Sequence, residues 1–509
     1  MHMFKRTRLL IAAAALTFAS STAWAQQRDT LTWTSDQDVD ILDVYYAQLR
    51  EQLINVRHIC DSLLFSNPRT QQYEGLLATS YKWVDDVTLE FELRKGVKFH
   101  DGRDFSAADV VYTLMHAVAP DSGVINRNNV QWIKDVVALD DYKVRIHLKE
   151  AFPAALEYLA GNLLMMPKGH YDSAPMVGER KDYGRIKPIC TGPYKLVEIV
   201  PGERVILERY EGYFKGGPKG TPAIKRLVYR TIPDKESQIA ALLTGDVDWI
   251  WTVPKDAADA LRSNPQVKVI QAPIMRYSYL QMNTTAPNSP FNDIRVRRAV
   301  NHAVNKKAIA QNLVGEGSQV LEATCYSTQF GCTQEVPVYA YDPAKAKALL
   351  AEAGYPNGFD VDLWAYRERQ YVEAIIGQLA AVGIRPKLNF VQYPVFRQAT
   401  REGKTLLANG TWGSNGVNDI SSSTSYFFRL GADDQNKDEQ VAKWLETGDN
   451  TADPAKRKEN YRKALVRIAE QAYWAPLFSY SKIYVFHKDL EFEGFYDEWA
   501  RFYWSKWKQ

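Results

Sequence analysis

The sequence lacks the short motifs that mark common catalytic sites. It contains no G-x-S-x-G, H-E-x-x-H, G-x-x-x-x-G-K-[ST] or G-x-G-x-x-G pattern, so the usual nucleophile, zinc, phosphate and dinucleotide sites are not indicated. The eight histidines are scattered, and none lies between residues 303 and 486. We therefore predict no cofactor, no metal site and no enzyme, with an exported hydrolase as the alternative.

The sequence also has little net charge. It contains 63 Lys and Arg residues against 60 Asp and Glu residues. Three of the basic residues and none of the acidic ones lie in the first 25 positions, so the rest of the chain is formally neutral. A neutral chain does not indicate a nucleic-acid partner.

Long apolar runs are absent beyond the N-terminus. The apolar segment LIAAAALTFA, residues 10–19, follows Lys5, Arg6 and Arg8 and precedes an A-x-A pattern that ends at Ala25. This order is typical of a secretory signal peptide, and the run is shorter than the ~20 residues that span a bilayer. We predict a signal peptide over residues 1–25 and a periplasmic mature protein.

Cysteine is scarce, with four residues in the chain. Cys325 and Cys332 enclose a short loop that suits a disulfide, and Cys60 and Cys190 then pair by elimination. Export into an oxidising compartment favours both bonds. The absence of C-x-x-C spacing disfavours a four-cysteine zinc site.

The stretch GVKFHDGRDFSAADVVYTL, residues 96–114, places His100 beside Asp101. Neighbouring side chains at the end of a strand point apart, and Asp101-Gly102 is typical of a turn. Ser106 then suits the N-cap of a helix. We therefore interpret the pair as structural and not as a catalytic dyad.

The remaining pattern mixes strands and helices throughout and predicts α/β domains. Residues 267–283, VKVIQAPIMRYSYLQMN, predict a pair of strands. Asn292 is predicted to open one long amphipathic helix over residues 293–314.

Five phrases, in order along the chain, resemble the extracytoplasmic solute-binding proteins of family 5, which serve ABC importers of peptides, opines and nickel. They are YEGLLATSYKW (73–83), LEFELRKGVKFHDGRDFSAADVVYT (89–113), TGPYKLVEIVPGERVILERYEGYF (191–214), NDIRVRRAVNHAVNKKAI (292–309) and YDPAKAKALLAEAGYPNGF (341–359). In that family the HDG segment is structural, which agrees with the interpretation of His100.

The resemblance implies an α/β, two-lobed periplasmic binding protein fold of type II, cluster C. Lobe I would hold residues 26–59 and 190–285, an extra subdomain over 60–189 and a C-terminal segment over 479–509. Lobe II would hold residues 286–478. The strands YSYLQMN and APLFSYSKIYVF would lie near the hinge, and the lobes would close around the solute.

The resemblance also implies ligand-binding residues. The segment TWGSNGVNDISSSTSYFF, residues 411–428, matches a motif of the dipeptide-binding branch at Trp412, Gly416 and Asp419. The matching acid of that branch pairs with the ligand's α-ammonium, so Asp419 is the predicted contact. Asn418 replaces the branch's proline, which puts plain dipeptide specificity in doubt.

Further contacts are predicted near the cleft. The branch's carboxylate-binding arginine lies in a loop that is shorter here, and LWAYRERQY offers Arg367 or Arg369 instead. Four aromatic residues could stack on the solute: Tyr45, Tyr46, Trp364 and Tyr366.

The predicted function is the periplasmic binding component of an ABC importer. Its expected partners are a small organic solute (a di- or oligopeptide, an opine or a conjugate) and the inner-membrane permease complex, with the protein itself a monomer. Because the predicted lobe II contains only His302, nickel is not favoured. A chaperone or sensor with the same fold stays open.

Overall fold

The computed structural model describes residues 28–413 and 416–508. The predicted signal peptide lies outside these residues. Within them, no helix combines the length and the apolar character needed to cross a membrane.

Strands and helices are mixed along the described chain. The strands are β1 (Thr30–Ser35), β2 (Leu64–Ser66), β3 (Tyr73–Gly75), β4 (Ala78–Asp85), β5 (Thr88–Leu93), β6 (Ile133–Asp140), β7 (Lys143–Leu148), β8 (Met176–Val177), β9 (Arg180–Lys181), β10 (Tyr194–Val200), β11 (Arg204–Arg209), β12 (Arg226–Thr231), β13 (Trp249–Trp251), β14 (Val267–Met282), β15 (Phe359–Ala365), β16 (Ile384–Phe390), β17 (Leu407–Trp412), β18 (Trp474–His487), β19 (Leu490–Glu491) and β20 (Lys506–Trp507).

The helices are α1 (Arg50–Ile59), α2 (Ala107–Val118), α3 (Ala155–Leu159), α4 (Lys235–Thr244), α5 (Lys255–Leu261), α6 (Ile294–Ala303), α7 (Lys306–Ile309), α8 (Pro343–Glu352), α9 (Arg369–Ala381), α10 (Tyr393–Arg401), α11 (Thr424–Phe428), α12 (Glu439–Asp449) and α13 (Pro454–Glu470). The prediction of one continuous helix over residues 293–314 is wrong, because α6 and α7 are separate helices. Helix α6 ends at Ala303, and Asn305 caps α7 with its side chain, because that side chain accepts a bond from the Ala308 N–H.

One ten-stranded sheet connects the two halves of the molecule, in the order β10-β11-β12-β1-β13-β18-β14-β17-β15-β16. The two longest strands, β14 and β18, pair antiparallel along their length. One end of this pair lies beside β13 and the other beside β17. The strands therefore cross from one lobe to the other, and their role as the hinge stays a prediction.

Residues 267–283 form this single strand and not the predicted pair. The ladder with β18 shifts register between Pro273 and Tyr277, and Pro273 has no N–H to donate. In the interruption, the Met275 N–H bonds the carbonyl of Tyr496 at 2.6 Å. Tertiary pairing with β18 thus carries the chain straight through a segment whose sequence indicates a break.

The apolar cores divide the chain into two lobes. One core contains residues 31–251 and 484–507 together with Ala272 and Val417, and a smaller one contains residues 242–261 with Ile483 and Val485. We call this part of the molecule lobe I. Two further cores contain residues 274–480, which we call lobe II. The C-terminal segment therefore returns to the N-terminal lobe, because its aromatic side chains complete that core.

Lobe I carries a separate four-stranded antiparallel sheet, β4-β5-β7-β6, against which α2 packs. Ser106 is the N-cap of α2, and its N–H bonds the Asp109 carboxylate at 2.8 Å, as predicted. The Cys60–Cys190 disulfide closes the chain segment that contains this sheet, and a second disulfide joins Cys325 to Cys332. Both pairs are those predicted from the sequence.

Candidate functional site

A cleft between the lobes near the hinge contains a cavity with a volume of about 500 Å³. Lobe I supplies side chains around α1, among them Gln48 and Arg50, together with Trp499. Lobe II supplies Arg367, and the crossing strand β14 supplies Arg276. A second cavity of about 380 Å³ shares Gln48 and three arginines with the first. The two cavities together form one candidate binding site.

Arg50 lies at the lobe I side of this cleft. It is the first residue of α1, so its side chain stands at the mouth of the site. The guanidinium stacks on the Trp499 ring at 4.1 Å and donates to the Asp497 carbonyl at 3.3 Å. Stacking leaves the edge of the guanidinium free to donate bonds to a carboxylate.

Arg276 lies on the floor of the cleft, where the pairing of β14 with β18 is interrupted. Its guanidinium approaches Thr411 Oγ1 at 3.5 Å and passes beside Gly413 of lobe II. A Cβ at Gly413 would lie 3.1 Å from Arg276 Nη2. The glycine therefore gives the arginine room between the two lobes.

Glu498 is the buried anion beneath these arginines. Its carboxylate pairs with Lys482 at 2.6 Å and lies 3.8 Å from both Arg50 and Arg276. Burial opposes ionisation, but Lys482 and the two arginines hold the pKa of this carboxyl below its usual value. Its backbone is left-handed, with φ 63°, a strained conformation for a residue with a side chain.

The structure separates the two arginines that the sequence offered as alternatives. Arg367 lines both cavities, and its nearest acid is Glu368 at 3.9 Å. Arg369 lines neither; it begins α9 and pairs with Glu373 at 3.0 Å. Arg367 is thus the arginine that faces the cleft.

The predicted aromatic contacts divide in the same way. Tyr45 lines the larger cavity, and its hydroxyl donates to the Leu164 carbonyl at 3.1 Å. Tyr366 and Trp412 line the smaller one. Tyr46 instead donates to the Ser122 carbonyl at 2.8 Å inside lobe I, and Trp364 lies within β15 between neighbouring strands. Neither of these two is among the residues that line the cavities.

Asp419, predicted to receive a ligand ammonium, lies in a buried ion pair. Its carboxylate accepts a bond from Arg457 at 2.8 Å and caps the turn at Ser421, whose N–H lies 3.0 Å away. It is not among the residues that line the cleft cavities. Gly416, with φ 80°, lies against Trp499. A ligand contact at Asp419 stays a prediction, which its existing partner Arg457 weighs against.

The stretch around His100 has a structural role. His100 Nε2 lies 3.0 Å from the Gly192 carbonyl, while Asp101 pairs with Arg103 at 2.7 Å. Burial lowers the pKa of the histidine. Within residues 28–413 and 416–508, no group of three or more His, Cys, Asp and Glu side chains is placed to hold a metal ion.

Sequence reasoning missed Arg50, Arg276, Glu498 and Trp499. Arg276 interrupts the apolar pattern of β14, and that charged residue within a buried strand is the one signal that could have indicated it. The other three lie at the start of a helix and near the C-terminus, and only folding brings these positions together.

Comparison with known proteins gives the following likenesses. The family described as "Bacterial extracellular solute-binding proteins, family 5 Middle" matches residues 72–434. The glutathione-binding protein GsiB of Pectobacterium atrosepticum is 31% identical over 352 residues, 68% of this chain and 66% of that protein. The GsiB of Escherichia coli K12 is 29% identical over 432 residues, 81% of this chain and 82% of that protein.

Among solved structures, the periplasmic binding protein DppA of Helicobacter pylori, in complex with peptide STSA, superposes with a TM-score of 0.77. The two proteins are 24% identical, and the superposition covers 95% of this chain and 99% of the DppA chain. This likeness confirms the predicted two-lobed α/β fold.

Proposed function

The chain belongs to the bacterial extracellular solute-binding proteins of family 5, as its sequence phrases predicted, and from this premise we propose that it captures a small acidic peptide in the periplasm. The closed protein would then deliver the peptide to an ABC permease in the inner membrane. Because the family consists of solute-binding proteins, the cleft is a site of capture and release, and the alternative of a hydrolase is not favoured.

One observation carries the acidic specificity. The two cleft cavities are lined by Arg50, Arg276 and Arg367, and none of the described residues that line them is Asp or Glu. The nearby Glu498 is already engaged with Lys482. A desolvated site with excess positive charge favours a solute that carries more carboxylates than ammonium groups.

The curated relatives support the class of solute. Two of them are named glutathione-binding proteins, and glutathione is a tripeptide with two carboxylates and one ammonium. A cavity of about 500 Å³ lies within the range for small-molecule sites. We therefore place glutathione and similar acidic di- and tripeptides first; an opine, which also carries carboxylates, is tested beside them.

The mechanism follows from the placement of the arginines. Arg50 is fixed on lobe I, Arg276 on the crossing strand and Arg367 on lobe II. A solute bound first to lobe I would draw Arg367 over its second carboxylate as the lobes close. Closure excludes water, which strengthens each charged hydrogen bond.

Isothermal titration calorimetry of the mature protein tests the proposal. The panel contains glutathione, acidic and neutral di- and tripeptides, a basic tripeptide and an opine. We expect the acidic peptides to bind at least tenfold more tightly than the neutral ones. The proposal would be contradicted if neutral and basic peptides bound as tightly as the acidic ones, or if only the opine bound.

Two neighbouring arginines provide a matched pair of variants. Arg367→Gln should weaken an acidic peptide by about 1.5–3 kcal/mol, the value of a hydrogen bond to a charged group. Arg369→Gln removes an equal charge two residues away, at a side chain already paired with Glu373, and should leave the affinity unchanged. Equal losses in both variants would indicate a general electrostatic effect and no contact at Arg367.

A further inference from the structure

A small cavity in lobe I lies behind Trp499. Its volume is about 50 Å³, and it shares Asn162 and Trp499 with the 500 Å³ cavity of the cleft. This is several times the ~10–15 Å³ that one water molecule requires, so it admits a group of a few heavy atoms. The two shared residues place this cavity, which we call the chamber, directly beside the cleft.

Arg57, on α1, presents an unpaired cation to this chamber. Among the described residues it has no carboxylate within 4.0 Å; it stacks on the Trp499 ring at 3.9 Å and donates to Asn162 Oδ1 at 2.7 Å. Its Nε is buried and has no hydrogen-bond partner. Burial lowers the pKa of this guanidinium to about 9. A buried donor without a partner is costly, so the site favours an incoming acceptor.

Glu157, on α3, presents a carboxyl group without a cationic partner to the same chamber. In the described part of the chain no Lys, Arg or His nitrogen lies within 4.0 Å of its carboxylate. It accepts bonds from the Tyr73 hydroxyl and from the Asn418 N–H of lobe II, the latter at 2.9 Å. Burial raises the pKa of this carboxyl to about 7, and an adjacent cation would favour its charged form.

The other charged groups of the chamber already have partners. Lys219 pairs with Asp61 at 2.7 Å, and Arg501 pairs with Asp497 at 2.5 Å. Arg57 and Glu157 are therefore left as the cation and the anion that a ligand could satisfy.

We propose that this chamber binds the α-amino-acid head group of a γ-glutamyl peptide. Glu157 receives the α-ammonium, and Arg57 donates to the α-carboxylate. In an ordinary peptide the free ammonium and the free α-carboxylate stand at opposite ends, whereas a γ-glutamyl linkage leaves both on one carbon. The inference rests on the proposed function and narrows it from acidic peptides to this linkage.

The same arrangement couples binding to closure. Asn418 lies on the segment that connects β17 and α11 of lobe II and that packs against the lobe I core through Val417; its backbone N–H bonds the Glu157 carboxylate in lobe I. A carboxylate oriented by this bond is ready to receive the ammonium only when the lobes are together. Binding of the head group would thereby favour the closed form.

The first experiment compares two isomers on the wild-type protein by calorimetry. The probes are γ-Glu-Cys-Gly and α-Glu-Cys-Gly, each with its thiol methylated so that it cannot exchange with the two disulfides. The isomers have the same composition and net charge, so acidic specificity alone predicts equal affinity. We expect the γ isomer to bind at least tenfold more tightly. Equal binding of both isomers overturns the chamber and leaves the proposed function standing, whereas binding of neither acidic peptide overturns both.

The second experiment assigns the residues. N-acetylation of the γ peptide should weaken wild-type binding by about ten- to hundredfold, because a charged hydrogen bond is lost. Glu157→Gln should bind the free and the acetylated peptide within about twofold of each other, while the exposed control Glu150→Gln should behave as the wild type. If Glu157→Gln weakens both peptides by one common factor, the residue serves only the contact with Asn418.

Arg57 provides an independent variant in case Glu157→Gln is poorly folded. Arg57→Gln should weaken the γ peptide by about ten- to hundredfold but leave the affinity for its α-carboxamide analogue unchanged. Equal losses for the two peptides would overturn the role of Arg57 as the carboxylate contact.

Discussion

The two walls of the cleft are built differently. On lobe I, Arg50 stacks on Trp499 and faces Glu498, whose side chain is 5% exposed and pairs with Lys482. On lobe II, Arg367 is 47% exposed, with its nearest acid 3.9 Å away. One wall is thus fixed before a solute arrives, and the other has a charged side chain free to complete the site. The difference indicates that lobe I receives the solute and lobe II closes over it.

Removal of the disulfides is the test of this comparison with the largest expected effect on stability. Cys60–Cys190 in lobe I closes a separation of 130 residues, and Cys325–Cys332 in lobe II closes one of 7. Loop-closure entropy gives about 5 kcal/mol for the long loop and about 2.5 kcal/mol for the short one. We expect Cys60→Ser/Cys190→Ser to lower the free energy of unfolding in urea by about twice as much as Cys325→Ser/Cys332→Ser. Equal losses would show that lobe I does not depend more on its disulfide.

Two acidic residues beside the cleft have left-handed backbone, Glu368 with φ 48° and Glu498 with φ 63°, and their variants sharpen the comparison. Glu498→Gln leaves three cations around a buried neutral side chain and should destabilise the protein by about 3–5 kcal/mol. Glu368→Gln removes a partly exposed carboxylate that has a distant partner and should cost less than about 1 kcal/mol. Urea unfolding of both variants measures the difference, and a similar cost for each would contradict the rigid lobe I wall.

The stability of lobe I is also expected to depend on pH. Asp43 is buried in lobe I beside Tyr45 and accepts bonds from the Tyr45 N–H at 2.8 Å and the Tyr171 hydroxyl at 3.0 Å. Burial raises the pKa of its carboxyl to about 7. The folded state therefore holds this proton more tightly than the unfolded state, whose value is about 3.9. Its contribution is fully present below about pH 4 and is lost as the pH rises to about 7.

Thermal midpoints measured between pH 4 and pH 8 test this dependence. Asp43→Asn should flatten the decline between pH 4 and pH 7, whereas the exposed control Asp86→Asn should retain it. An unchanged profile in Asp43→Asn would assign the dependence to other groups.

Much of the fold followed from local sequence. Ser106 caps α2 and Cys325 pairs with Cys332 as their local patterns predict, and Cys60 pairs with Cys190 as predicted by elimination. The helix over 293–314 did not, because its apolar periodicity continues across the turn that Asn305 caps. The periodicity of apolar residues shows which face of a helix is buried. It does not show where a side chain such as that of Asn305 accepts a hydrogen bond from the backbone and so interrupts the helix.

The candidate site was predicted in part. Arg367, Tyr45, Tyr366 and Trp412 line the cleft cavities, and their contact with a solute stays a prediction. Arg50 and Trp499 could not be found, since they are more than 400 positions apart and carry no shared motif. Asp419 matched a motif, but a motif does not reveal that Arg457 lies at its carboxylate.

The sequence by itself determined the α/β class, the family and the cysteine pairs, because these depend on patterns that are local or that recur in order along the chain. Only the tertiary structure decided which arginine faces the cleft and that Arg57 and Glu157 meet unpaired in one chamber. The physical reason is that a charge acts through its distance and its burial, and both are fixed only when the two lobes and the C-terminal segment pack together.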